Sequence, residues 1–343
     1  MSVGTTEVYK DELGDYGDVR KQVRDTDFNI DLEITDTGFD GVEDTDWVNA
    51  ENHNADAFTP TTGTIPVVIS GAETVFFSII DIVEGSEITI DWDDGSTDTY
   101  YFADNGASKN HSYAEAGSYD VEISDAGNIK EVDFRDVKLR FNSSFFKSCG
   151  DNLESISLYH TLTTPIINSA DMAHLKLSSQ LYLSFPQAGT YAIDSSDFAG
   201  YTLSSQLYLY FPEAGTYVID SSDFASYTLS YQLYLYFNTT SLTKTIVAAD
   251  FNGFVRLPNV RIEMGLTETE VNNILLGFYG AFPSKTNTGG TIDLAGNGNA
   301  APSGTYQARC PPTTGKEAAY ELLNDTCGVS SYHWDSIFVE GGL

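Results

Sequence analysis

Between residues 61 and 127, apolar and polar positions alternate with the two-residue period of a β-strand in a series of short runs. The runs are IPVVIS (65–70), TVFFSIIDI (74–82), SEITIDW (86–92), TYYFA (99–103) and GSYDVEIS (117–124), with DDGSTD (93–98) as a turn. This spacing predicts a small antiparallel sandwich with Trp92 in its core, because Asp accepts local backbone hydrogen bonds and Gly tolerates positive φ in the turn. Farther on the pattern becomes a repeat. Ser179 to Phe198 recurs at Ser205 to Phe224, and a third copy begins at Tyr231, so the period of the repeat is twenty-six. Degenerate copies start at Leu153 and at Val137. About five rungs suffice for a solenoid over 128–285 in which each unit buries its apolar face on its neighbours.

Within each copy the L-x-L-x-F run predicts a strand with two unlike faces. Leu181, Leu183 and Phe185, with their counterparts Leu207, Leu209, Phe211, Leu233, Leu235 and Phe237, point inward. The opposite face carries Tyr182, Tyr208 and Tyr234 in one column, and Ser184, Tyr210 and Tyr236 in the next, at a rung spacing of about 4.8 Å. An exposed tyrosine ladder over Tyr182, Tyr208, Tyr210, Tyr234 and Tyr236 is the candidate binding surface. It suits stacking on sugar rings or contact with a protein partner, and equally suits cross-strand aromatic packing alone. Each copy also holds a second strand candidate such as Thr216-Tyr-Val-Ile-Asp220, followed by a short turn in which Ser-Ser-Asp caps and Phe198 or Phe224 plugs the core. Thr267 to Gly277 reads as a helix capping the array, with Thr267 as N-cap, Glu270 completing a capping box and Gly277 as the stop. A Gly-rich stretch (289–304), a helix from Lys316 to Leu323 and a strand from Ser336 to Glu340 make a small C-terminal unit over 286–343.

Composition alters this picture at three points. The 343 residues carry Lys+Arg 17 against Asp+Glu 50, a net charge of −33 that repels phosphate backbones and anionic lipid, so neither nucleic acid nor a membrane is an expected partner. Acids far outnumber bases in residues 1–60, interrupted by the alternating run from Phe28 to Ile34, which predicts an extended arm that orders on a partner or stays a solvated leader. The first residues show no apolar signal core and no later window offers a membrane span, so classical secretion and anchoring are not expected. Cys149, Cys310 and Cys327 do not make a zinc pattern; Cys310 and Cys327 either pair or stay as free thiols.

Little in the chain announces chemistry. Asp91, Asp93, Asp94 and Asp98 could hold Ca²⁺ through oxygen ligands, or serve as turn-capping acids. His111 reads as a hydrogen-bonding structural residue. No GxSxG, HExxH or P-loop occurs and the five histidines are scattered, so no enzyme activity and no cofactor are expected.

Ile88-Thr-Ile-Asp-Trp92-Asp-Asp-Gly95, with His111-Ser-Tyr113 and Ala116-Gly-Ser-Tyr119-Asp-Val121, resembles the polycystic-kidney-disease (PKD) repeat, whose domains are immunoglobulin-like sandwiches. The first of these elements is shortened relative to that family's pattern. The repeat units resemble irregular leucine-rich repeats of bacterial surface proteins and phage fibres, without the usual consensus Asn, and a right-handed β-helix is the structural alternative. The expected fold class is therefore mostly β: an extended arm (1–60), an immunoglobulin/PKD-like β-sandwich (61–127), a leucine-rich-repeat-like β-solenoid with a capping helix (128–285), and the C-terminal unit (286–343). The resemblance implies a structural phage virion protein, either a capsid decoration or head fibre or a tail-associated fibre, on the virion surface as a homo-oligomer or multicopy assembly. Its partners would be other virion proteins through the arm, and host-surface glycan or protein. A cellular surface adhesin and a polysaccharide depolymerase are the alternatives.

Overall fold

The alternating runs of the first part, together with residues 109–113, form seven strands among the described residues. In the computed structural model, which describes residues 62–343 except 78, 135–137, 160–163, 252, 255–258 and 287–288, the first of these is β1 (Gly63–Ile69). It buries Ile65, Val67 and Ile69 and pairs antiparallel with β7 (Gly117–Ser124), Gly63 opposite Ile123. β4 (Glu87–Asp91) and β5 (Thr97–Tyr101) complete a four-stranded sheet in the order β1-β7-β4-β5. β2 (Glu73–Phe77) pairs antiparallel with β6 (Lys109–Tyr113). Trp92 is fully buried, as its position in the pattern implied, and stacks on Phe77 at 5.4 Å. The arm expected over 1–60 lies outside the described residues, as does Val137.

The run 74–82, expected as one strand, divides into β2 and β3 (Ile79–Ile82). Its buried positions explain this. Val75 and Phe77 fall on odd numbers, Ile80 and Ile82 on even ones. A period-two pattern that changes phase cannot keep one face inward along a straight strand, so the second half leaves for another sheet. There β3 pairs antiparallel with β8 (Ile129–Phe134).

From β8 onward the strands are parallel. β9 (Ser155–Leu158), β11 (Gln180–Ser184), β13 (Gln206–Phe211), β15 (Gln232–Phe237), β17 (Asn259–Glu263), β18 (Thr291–Leu294) and β19 (Ser336–Val339) follow one another across a nine-stranded sheet that ends at β3. The three clear copies pair residue for residue at the repeat spacing: Leu181 faces Leu207 and Leu207 faces Leu233. The rung before β9 is β8 and not the expected 137–141 segment, where Leu139 makes only an isolated bridge to Val67.

A second parallel sheet is built from β10 (Ile166–Asn168), β12 (Thr190–Asp194), β14 (Thr216–Asp220) and β16 (Leu242–Thr245). Here Ala192 faces Thr216 and not its counterpart in the next copy, Val218, so the register slips by two positions against the repeat. An even slip leaves the pleat in phase, so Tyr191, Ile193, Tyr217 and Ile219 all stay buried. Short 3-10 turns follow, Ser195–Phe198 and Ser221–Phe224, with both Phe side chains inside. The cap is the preceding residue: Asp194 accepts from the Ser196 N–H, and Asp220 from that of Ser222. The first serine, buried, links rungs instead. The Ser195 hydroxyl donates to the Asp223 carboxylate at 2.6 Å and accepts from the Asp220 N–H at 2.7 Å. Ser143 and Ser169 reach Asp171 and Asp197 in the same way, which satisfies polar groups that would otherwise be buried at a cost.

Helix α1 (Glu268–Ala281) starts at Thr267 with the expected capping box to Glu270, but runs past Gly277. Gly277 is a point of close approach and not a stop, since a Cβ there would lie 2.2 Å from the Ala248 carbonyl oxygen. Neither does α1 end the array. It connects β17 to β18, and α2 (Gly315–Asn324) connects β18 to β19, so both helices are crossovers between parallel strands of the same sheet. That sheet runs without a break across the boundaries expected at 127/128 and 285/286. Cys310 and Cys327 are joined by a disulfide, and Cys149 is a buried thiol whose pKa burial pushes up. Among the described residues no helix is long and apolar enough to cross a membrane.

Candidate functional site

The outward face of the long parallel sheet is ordered into three rows by its register. The first runs Ser155, Gln180, Gln206, Gln232, Asn259, Thr291, Ser336, and the second Ser157, Tyr182, Tyr208, Tyr234, Arg261, Asp293, Phe338. The third runs Ser184, Tyr210, Tyr236, Glu263. Amides, phenols and phenols with acids thus lie side by side over many rungs.

The predicted tyrosine columns form, but differently from the expected display of open ring faces. Tyr159, Tyr182, Tyr208 and Tyr234 stack on one another with centroids 4.7, 4.2 and 4.3 Å apart, the last two pairs within 11° of parallel. Rings stacked at the rung spacing cover each other's faces, leaving edges and hydroxyls to the solvent. Tyr182 and Tyr208 are accordingly half-buried, and Tyr234 is buried at 8% exposure. The Arg261 guanidinium lies 5.4 Å over the Tyr234 ring and closes the stack. Arg261 is itself paired with Glu263, and with Asp293 at 3.7 Å. Tyr210 and Tyr236, half-buried, are tilted by 48° at 4.9 Å and offer a less covered aromatic surface. Ser184, at the start of their row, is buried.

Burial, followed by the neighbouring phenols, pushes the Tyr208 pKa well above its ordinary value. Burial also raises Tyr234 to about 12, against the opposing pull of Arg261. Tyr236 is raised as well, burial first and Tyr210 next. All three phenols therefore stay neutral hydrogen-bonding groups near neutral pH. The amide row is linked in the same direction, Gln206 Nε2 donating to Gln180 Oε1 at 3.0 Å and Gln180 Nε2 to the Ser157 hydroxyl at 2.8 Å.

The four aspartates of the first part are used locally. Asp91 accepts from the Asp93 N–H at 3.0 Å, Asp93 from the Asp120 N–H at 2.8 Å, and Asp98 from the Trp92 indole at 2.8 Å. Asp94 accepts from the Ser96 N–H and hydroxyl, and pairs with His111 Nε2 at 2.7 Å. None of the four belongs to a described group whose ligand atoms converge within 4.8 Å; Cys310, Glu321 and Cys327 do. His111 stacks on Trp92 at 4.8 Å, as a structural histidine would.

Sequence reasoning missed Tyr159 and Arg261, which extend and close the stack. The signal for Arg261 was present: Asn259-Val-Arg-Ile-Glu263 alternates like Gln232-Leu-Tyr-Leu-Tyr236, with polar residues where the copies have phenols. Also missed were Tyr201 and Tyr227, buried phenols whose hydroxyls donate to the Met172 and Phe198 carbonyls. Comparison with protein-family models, with curated proteins and with solved structures yields no match to this chain.

Proposed function

We propose that this chain is a non-enzymatic structural protein of a phage virion surface, a capsid decoration or head fibre or a tail-associated fibre, that presents the three-row face for adhesion to the host. The observation that carries this reading is the in-register stacking of copies, which turns one short polar and aromatic motif into an extended surface. On this reading residues 61–127 are a PKD-like module, and the parallel array is a solenoid of the leucine-rich-repeat kind. Helical crossovers at α1 and α2 favour the leucine-rich-repeat description over a pure β-helix. The acidic segment 1–60 would anchor the chain on a basic surface of another virion protein.

Tyr210, Tyr236 and the edges of the Tyr182–Tyr208 stack, beside amides and neutral phenols, suit a neutral, hydroxyl-rich ligand such as host glycan. A net charge of −33 disfavours an anionic one. For a depolymerase, two carboxylates would have to flank a sugar bond, whereas Glu263 and Asp293 beside the tyrosines flank Arg261. Two measurements test the proposal. Antibody labelling of purified particles from the virus encoding the chain should decorate their surface; unlabelled particles would remove the virion assignment. Purified protein should bind host envelopes, and Tyr210→Ala with Tyr236→Ala should weaken that binding by about tenfold or more, in line with loss of aromatic anchors worth ~1.4 kcal/mol or more. Unchanged binding would return these side chains to packing alone.

A further inference from the structure

At the far end of the sheet, the loop that follows β18 is tied to the turn after α2 by the Cys310–Cys327 bond, and the Glu321 carboxylate of α2 lies against that bond. Glu321 is completely buried. The groups that hold it are neutral: the Arg309 N–H at 3.1 Å and the Thr326 hydroxyl at 2.5 Å on Oε1, and the Cys327 N–H at 2.9 Å on Oε2. The Arg309 guanidinium turns away to Glu317 at 3.5 Å. A buried carboxylate is costly unless positive charge reaches it. One of its oxygens and both sulfurs lie within 4.8 Å of one another, with Cys310 exposed and Cys327 half-buried at the surface.

We propose that the reduced protein holds a thiophilic divalent cation of the Zn²⁺ class at this point, through Cys310 Sγ, Cys327 Sγ and Glu321, with water as fourth ligand. Two bonds of ~2.3 Å at a tetrahedral metal place the sulfurs about 3.8 Å apart, a separation that opening of the disulfide allows. The chemistry balances. A dithiol reductant delivers two electrons and two protons to the S–S bond and becomes a disulfide, and the cation then displaces the two thiol protons. The three hydrogen bonds to Glu321 serve as the outer support that orients a metal-binding carboxylate. The loop thereby stays clasped to the turn after α2 in either redox state, by a covalent bond under oxidising conditions and by the cation under reducing ones. This inference is independent of the proposed function.

The test is an anaerobic titration of the full chain with Co²⁺, after reduction by a water-soluble phosphine and its removal. The reduced chain should take up one equivalent with thiolate-to-cobalt absorption, which Zn²⁺ then abolishes, while the oxidised chain should show none. Cys310→Ser should eliminate the signal. Glu321→Gln should lower the apparent affinity by at least about tenfold, and Cys149→Ala should leave the titration unchanged. Absence of uptake by the reduced wild-type chain, which requires no variant to fold, overturns the proposal. Equal affinity in a folded Glu321→Gln chain overturns the role of the carboxylate.

Discussion

Trp92 lies between Phe77 and His111, whose rings stack on it at 5.4 and 4.8 Å, and its indole N–H is taken by Asp98. Each of these neighbours comes from a different strand or turn, and the aspartates of the W-D-D-G segment combine local bonds to Asp91 and from Ser96 with distant ones from His111 and Asp120. Asp94 is the member that titrates usefully. Burial raises its pKa, but hydrogen bonds from Ser96 and the contact with His111 outweigh this and hold it below the ordinary value of 3.8. The sign follows from linkage. A carboxylate depressed in the folded state contributes stability that is present above its unfolded pKa and lost as pH falls through the folded one. The melting temperature of the wild type should therefore exceed that of Asp94→Asn near neutral pH, and the gap should close below about pH 4. A gap that persists undiminished at pH 2 would mean that the carboxylate charge is not what matters. Trp92 and the aspartates of its turn were legible as core and capping residues because an alternating run ending in Trp and the Asp-Asp-Gly turn after it are written within a few residues of one another; the distant partners Phe77, His111 and Asp120 were not legible. The self-covering of Tyr208 was not, because it depends on the rings of Tyr182 and Tyr234 in the preceding and following copies.

At the scale of elements, the copies write their own strands, and the exceptions are places where two elements meet. Gly277 is the clearest. Read along the chain it follows a capped helix and looks like a stop; in space it lets α1 come against the turn of Ala248–Phe251, where Phe278 meets Phe251 at 5.4 Å. Two effects oppose one another in Gly277→Ala. Alanine favours a helix interior by ~1 kcal/mol, while a methyl group forced to 2.2 Å from a backbone oxygen requires the helix to shift, at ~1–3 kcal/mol or more. The backbone oxygen cannot swing aside as a side chain would, so the steric effect should dominate. Urea denaturation should show a lower midpoint for the variant, and a midpoint equal to or above wild type would place the glycine among ordinary helix positions. The phase change within residues 74–82, by contrast, could be read from the buried positions once two sheets were known to compete for them.

For the whole molecule, the repeat makes a strong demand. If each copy contacts only its neighbours, removing one unit should leave the rest able to pair. Deleting residues 205–230 joins Ser204 to Tyr231 and brings β15 beside β11 with the same Leu, Tyr and Phe columns that β13 presented. That shortened chain should still unfold cooperatively, with a urea m-value lower by roughly a tenth in proportion to the surface lost. Deleting residues 205–217 instead, half a unit, should abolish the cooperative transition. Similar behaviour of the two deletions would show that the stacking register is not what organises the array. The second sheet is the harder test, because its slipped register must be re-established between β12 and β16.

Local pattern was enough to specify the first strand of each clear copy, which of its side chains face inward, and that equivalent positions of successive copies lie opposite one another in the long sheet; it did not reveal β8, β17 or β18, or the break within residues 74–82. The legible features follow from the two-residue pleat and from the identity of the copies, both local properties of the chain. Packing between rungs and helices is what makes the tyrosines shield one another, sets Arg261 at the end of their stack, has α1 and α2 extend the sheet in place of ending it, and carries one sheet across the expected boundaries. Those outcomes depend on what a neighbouring rung or helix brings within van der Waals reach, and no pattern within a single unit records it.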